Sequence, residues 1–411
     1  MKSCFYSIIF VFFLLFINSL AFSYSKGEFI YSGYYFQDDD NSNTFDYMND
    51  FNARLDVKDY LGQLGYKIRV ASTIDTLNEA RNRFIVEDMW LQYPLGNLSV
   101  KIGSQLINWS SMEVFRPSDI INSYYYDGNF AYPDKLGEPS LRLSYQFPTA
   151  TFVFLYMPTF QKPVFPTAQN RFAGTLNYDE IKALNFDLNF LDNETINQYS
   201  VLFEFMWGSA DINFNYTHHI DRRQPANVVN LNNGDFTAIY LPVDQYGFGY
   251  QFAYRNYLLK SELAYRDFKS TTMESYNSVS QLDHFQISLG TESTLYHPNN
   301  FESTLFIEYQ KIEAVTESER ASLGLFQNDI FFGYRLNLND DASTELTSTF
   351  IFDIERYYEI IFNLSLSRKF LDRLIIDVGL NKFMAKSQDD IYGVINLANL
   401  DHSFFKLTYP L

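Results

Sequence analysis

The side chains able to do chemistry are few and scattered. His218, His219, His284, His297 and His402 are the only imidazoles in 411 residues. The adjacent pair His218 and His219 would place its rings on opposite faces of a strand, poorly suited to sharing one metal. No spacing singles out a Ser/His/Asp set. Asp38-Asp39-Asp40-Asn41-Ser42-Asn43 gathers oxygen ligands but lacks the loop spacing and terminal Glu of an EF-hand, and reads as an acidic flexible loop. No Gly-rich loop is built to cradle phosphate. These residues predict no enzyme, no cofactor and no metal site. With 31 Lys+Arg against 49 Asp+Glu the net charge is -18, so nucleic-acid phosphates should be repelled.

One stretch stands apart. Residues 107–138 read INWSSMEVFRPSDIINSYYYDGNFAYPDKLGE, a polar link dense in aromatics. Arg116 and Asp119 lie close together with Pro117 stiffening the chain between them. A link carrying Trp109, Phe115, Tyr124, Tyr125, Tyr126 and Phe130 should bury them against something. Trp109, Arg116, Asp119, Tyr124 and Tyr126 are therefore the expected constriction of an aqueous channel. The alternative is a cap that packs on other surface loops.

The elements that would position this stretch begin after an address. Residues 1–23 read as a signal peptide: Lys2, the uncharged apolar run 8–17, then Ala21-Phe22-Ser23 with small residues where a signal peptidase cuts. The run is too short to span a bilayer comfortably, which needs ~20 apolar residues. Cleavage removes Cys4, the only cysteine, so backbone pairing and burial must hold the exported chain together.

From residue 24 to 411 apolar side chains recur at every second position, the β period. Tyr246, Phe248, Tyr250, Phe252 and Tyr254 alternate with Gln245, Gly247, Gly249, Gln251 and Arg255. Leu259, Leu263 and Tyr265 oppose Lys260, Glu262 and Arg266 in the same way. About eighteen such segments (sixteen to eighteen) are each long enough for the ~9–11 residues of a tilted membrane strand. Their centres lie near Ser32, Asn52, Ile68, Val86, Val100, Leu143, Phe154, Phe203 and Phe214, then Phe248, Leu263, Ile287, Leu305, Phe332, Ser348, Asn363, Asp377 and Phe405. Tight turns are expected at 94–97, 148–149, 208–209, 255–256, 297–300, 339–341 and 370–373. Long links fall between them at 106–139, 158–194, 219–243, 269–280, 312–321 and 385–399, with 354–357 the one short link where a long one is due.

Alternating short and long connections predict an all-β, transmembrane, antiparallel up-and-down barrel in a Gram-negative outer membrane, with both termini in the periplasm. A bilayer offers no water to backbone N–H and C=O groups, so a sheet can cross it only when closed. An exported propeller or sandwich has no reason to alternate its loop lengths, and no repeat of ~40–50 residues marks propeller blades. The polar faces then line the lumen with Lys67, Arg69, Lys101, Arg142, Lys260, Arg266 and Lys406 against Glu204, Asp211, Glu262, Glu302, Glu308 and Asp377. That lumen is mixed in sign. The acid excess sits in the long links at Asp38–40, Asp75, Glu79, Asp192, Glu194, Glu313, Glu317, Glu319, Asp389 and Asp390, where it either attracts cations or keeps the surface solvated.

Gly103-x-Gln105-x-x-x-Trp109, followed by Pro117-x-Asp119-x-x-Asn122 and later by Tyr156-x-Pro158-x-Phe160, resembles a strand-to-loop motif of poorly characterised porin-like outer-membrane proteins. Gly usually follows that Trp, where this chain has Ser110. The resemblance spans about 103–160 and implies a barrel with a folded-in segment, without a settled substrate. The expected function is a porin-like channel for passive diffusion of small solutes. Its surroundings would be outer-membrane lipid and lipopolysaccharide, and a homo-oligomer is compatible. A hydrophobic-solute channel, a structural or adhesive barrel and an outer-membrane phospholipase are the alternatives. A siderophore-type transporter is not, since the rhythm leaves no room for an N-terminal plug.

Overall fold

The computed structural model describes residues 24–37, 46–126, 134–164, 171–173, 197–223, 226–229, 236–272, 278–356, 358–371, 373–385, 397 and 400–411. The expected signal peptide, the Asp38–40 run, Phe130, Asp192, Glu194, Asp389 and Asp390 lie outside the described residues.

The wall begins with β1 (Tyr24–Phe36), β2 (Tyr47–Leu61), β3 (Leu64–Ile74), β4 (Arg83–Leu95) and β5 (Leu98–Gln105). The link after β5 carries a small hairpin of β6 (Tyr124–Tyr125) and β7 (Asp134–Lys135). The wall resumes with β8 (Glu138–Gln146), β9 (Ala150–Met157), β10 (Gln198–Trp207) and β11 (Ala210–Ile220). A second hairpin, β12 (Ala226–Val229) with β13 (Phe236–Ile239), precedes β14 (Pro242–Tyr254) and β15 (Tyr257–Phe268). A third, β16 (Thr271–Thr272) with β17 (Ser278–Val279), leads to β18 (His284–Tyr296), β19 (Glu302–Glu313) and β20 (Asn328–Asn337). The last strands are β21 (Glu345–Asp353), β22 (Ile360–Phe370), β23 (Leu374–Met384) and β24 (His402–Pro410).

Each wall strand pairs antiparallel with the next, and β24 pairs with β1 from Glu28 opposite Pro410 to Phe36 opposite His402. The ring of 18 strands is therefore closed, and no strand of the wall has an unpaired edge. Every expected strand centre falls within one of these strands. All seven expected tight turns are present, and an eighth joins β2 to β3 at 61–64. At the turn after β10, Gly208 adopts φ +64, the left-handed conformation that two-residue hairpins demand. The long links all lie at the opposite end, one of them holding the short helix Glu317–Leu323.

Burial is inverted relative to a water-soluble protein. On β15 the polar Glu262 is 2% exposed, while the neighbouring apolar Leu263 is 38% exposed. Gln245, Lys260 and Arg266 are likewise buried, and Tyr246 and Leu259 are exposed. Exposed Tyr60, Tyr93, Trp207, Tyr254, Tyr257 and Tyr296 ring the tight-turn end, and exposed Tyr35, Tyr47 and Phe84 mark the other. A greasy exterior with an aromatic belt at each end matches the two interfaces of a bilayer.

Candidate functional site

The described residues of the link between β5 and β8 reach wall strands far from either of its ends, bonding to β15 and β19. Its departure is prepared by Gly103, at φ +132, where a Cβ would stand 2.2 Å from the carbonyl oxygen of Met89. Asn122 clasps the neck of the link. Its Oδ1 accepts from the N–H of Ile107 at 2.8 Å, and its Nδ2 donates to the carbonyls of Gln105 and Leu136, each at 2.8 Å. Gln105 Nε2 donates to the carbonyl and hydroxyl oxygens of Ser140 on β8. The residues of the Gly103–Asn122 motif thus hold the shape of the insert.

Main-chain N–H groups in an irregular, enclosed segment need acceptors. Two carboxylates on distant strands supply them. Glu262 on β15 accepts from the Ser110 hydroxyl and the Ser111 N–H, both at 2.7 Å, and from the Ser118 N–H at 3.3 Å. Glu308 on β19 accepts from the N–H groups of Glu113, Val114 and Phe115 at 2.6, 3.0 and 3.1 Å. Bonds to an ionised acceptor are about twice as strong as neutral ones. Apolar contact adds a second kind of anchor. Ile107, Trp109 and Ile121 pack on Val153, Leu155 and Met157 of β9 and on Leu202 of β10. Phe115 enters a pad of Phe306, Phe331, Ile351 and Ile361 contributed by β19 to β22.

The five residues expected at a constriction are placed as follows. Trp109, Asp119 and Tyr124 are buried within the insert and its pads. Asp119 is fixed by Lys135 Nζ at 2.6 Å and by the Tyr124 hydroxyl at 3.1 Å. Arg116 keeps a partly exposed side chain, with Nε donating to the Met112 carbonyl at 3.1 Å and Nη1 at 4.0 Å from Asp119. Burial pushes the Tyr126 hydroxyl up to about 12, although Arg223 opposes it. Burial also lowers the Lys135 ammonium, with Asp119 partly restoring it. Arg223, in the link after β11, is a partner that sequence reading missed. It donates to the carbonyl of Asp119 and the hydroxyl of Tyr124, and its guanidinium lies 4.8 Å from the Tyr124 ring centre. Burial disfavours its charge, yet Tyr124, Asp119 and Tyr126 together raise its pKa.

Several of the residues expected to line a lumen meet opposite charges. Lys67 is 2.9 Å from Asp88, and Arg69 is 2.7 Å from Glu87. A register shift between Arg69 and Val70 bulges β4, and both consecutive acids, Glu87 and Asp88, are buried there. Glu87 also meets Arg54 at 3.0 Å. Lys260 reaches Glu292 at 3.1 Å and Glu113 of the insert at 3.4 Å. Arg266 Nε donates to Gln245 Oε1 at 3.0 Å. Buried Arg222 pairs with buried Glu138 at 2.9 Å. Glu204 faces a cavity of about 450 Å³ under the insert, lined also by Asn108, Trp109, Asp211, Asn213 and Gln251. His218 and His219 do take opposite faces, His219 being buried and His218 bonded to Asp244 at 2.7 Å. Among the described residues no group of three or more His, Cys, Asp or Glu could hold a metal ion.

No protein-family model and no curated protein sequence matches the chain. Among solved structures it is similar to a mutant of Rhodopseudomonas blastica porin, at 10% identity and TM-score 0.45, over 94% of this chain and 99% of that one. It is also similar to Salmonella typhi OmpF in complex with daunomycin, at 10% identity and TM-score 0.44, over 94% of this chain and 97% of that one. The barrel itself is read from its hydrogen-bonded ring.

Proposed function

We propose that the chain is an outer-membrane channel for passive diffusion of small solutes, and that residues 107–138 narrow its aqueous pore. The observation that carries this reading is the anchoring of the insert to Glu262 and Glu308, on strands far round the ring from β5 and β8. A barrel of eighteen strands left clear would be a wide water-filled channel, so a segment tied inside it sets the size of what passes. The apolar outer face and its aromatic belts suit surrounding lipid and lipopolysaccharide.

In this reading residues 1–23 are removed on export, and the tight turns and both termini of the mature chain face the periplasm. Arg116 is the member of the narrowing whose charge meets water, while Trp109, Asp119, Tyr124 and Tyr126 hold its shape. No reaction is assigned to the chain. The test is to insert the purified, folded mature protein into planar bilayers and to swell liposomes with sugars and amino acids. Stepwise currents and solute-dependent swelling are expected, with an altered unit conductance or selectivity in Arg116→Ala. Silent bilayers from correctly folded protein would refute the channel, and a monodisperse particle in detergent-free buffer would refute the membrane barrel.

A further inference from the structure

The cations of the inner wall fall into two groups. Arg54, Lys67 and Arg69 each lie within 3.0 Å of Glu87 or Asp88. Lys101 on β5 and Arg142 on β8 stand directly opposite each other in the strand register. Neither has a carboxylate oxygen within 4.0 Å among the described residues. The Arg142 Nε donates to the Ser144 hydroxyl at 3.1 Å, and the Lys101 Nζ lies 4.1 Å from the Trp90 ring centre. Both side chains are partly exposed inside the barrel. Two strands away, Lys58 and Lys67 form another like-charge pair in register.

Like charges set directly opposite in a ladder repel each other. A chain with 49 acids and 31 bases does not lack carboxylates to place between them. The pair is left without a close carboxylate, whereas Arg54, Lys67, Arg69 and Lys260 on the same wall each have one. A compact ammonium beside a planar guanidinium fork is a complementary host for an oxyanion, and the face of Trp90 backs the ammonium. We propose that Lys101, Arg142 and Trp90 form a subsite on the pore wall that binds the oxyanion group of a solute, a carboxylate or a phosphate. The subsite rests on the channel reading, because its ligand reaches the wall through the pore.

The test has two independent readouts. Detergent-solubilised mature protein is titrated calorimetrically with succinate and, separately, with inorganic phosphate at low ionic strength. Saturable binding is expected, and the stronger of the two identifies the preferred oxyanion. The double variant Lys101→Gln/Arg142→Gln should weaken it about tenfold or more, the loss expected when hydrogen bonds to a charged group are removed. Arg142→Lys, which keeps the charge but loses the fork, should fall between. Lys406→Gln, an inward cation with Asp377 opposite it in register, should leave binding unchanged. In bilayers the same anions should block chloride current, and the double variant should need about tenfold more to do so. Absent binding, binding unaffected in the double variant, or an equal loss in Lys406→Gln would each overturn the subsite. Failure to conduct would overturn the channel reading alone, since the titration does not depend on current.

Discussion

On β15, Glu262 is occupied by four donors of the insert, whereas on β5, Lys101 has the Trp90 ring beside it, Arg142 opposite it and, among the described residues, no carboxylate oxygen within 4.0 Å. The two residues look alike in an alternating sequence, since each is the polar member of an apolar/polar pair. Their fates differ because the inner wall is divided. The sector from β9 to β22 offers hydrogen-bond partners and apolar pads, and the insert lies on it. The sector from β2 to β8 carries paired and unpaired charges. Strand alternation therefore says which residues face inward, and a second set of contacts decides which of those hold structure and which meet solvent.

The strongest way to break this division is to release the insert from its apolar anchor. Phe115 is 1% exposed among Phe306, Phe331, Ile351 and Ile361. Phe115→Ala should cost the docked segment roughly 3–5 kcal/mol. Unit conductance and open-channel noise should rise, and limited proteolysis should begin to cut within the insert, while the barrel persists. If currents and cleavage both stay as in the parent protein, the insert is not held by this sector.

The barrel was far more legible in the sequence than the site. All eighteen strand centres follow from period two, because lipid on one side and water on the other impose alternation on every strand. The turn at 61–64 is not among the expected ones, although the apolar phase shifts across it, from Leu55 and Val57 to Tyr66 and Ile68. In β9 the run Phe152, Val153, Phe154, Leu155, Tyr156 and Met157 is apolar on both faces, which marks the pad for Trp109 once the inner wall is known to be covered there. Glu87 and Asp88 defeat period-two reading, since consecutive residues should point apart and the bulge buries both. Arg223 lies in a link, where no periodicity points to a partner 104 residues away.

A smaller effect sharpens the same comparison. Glu308→Gln keeps the shape of the side chain but removes the charge and turns an amide toward N–H groups that need an acceptor. Glu113, Val114 and Phe115 lose charge-assisted bonds, so roughly 1.5–3 kcal/mol of docking should go. Conductance should rise less than in Phe115→Ala, with ion selectivity shifted little, because the cationic sector is untouched. A selectivity change as large as that of the Lys101/Arg142 double variant would mean the two sectors act as one.

The smallest effect belongs to a site outside both sectors. In the turn after β20, Asp340 accepts from the Thr344 N–H at 2.7 Å and from its hydroxyl at 2.8 Å. These bonds hold its carboxyl below the ordinary value of 3.8, with Arg368 adding a lesser pull. A lowered folded-state pKa contributes stability that is complete above 3.8 and lost as the pH falls through the lowered value. Asp340→Asn should therefore lower the melting temperature slightly at neutral pH, and the difference from the parent should vanish in strong acid. Conductance and selectivity should not move. A change in either would place the tight-turn end in the permeation path, and the division of the inner wall would then not account for what passes.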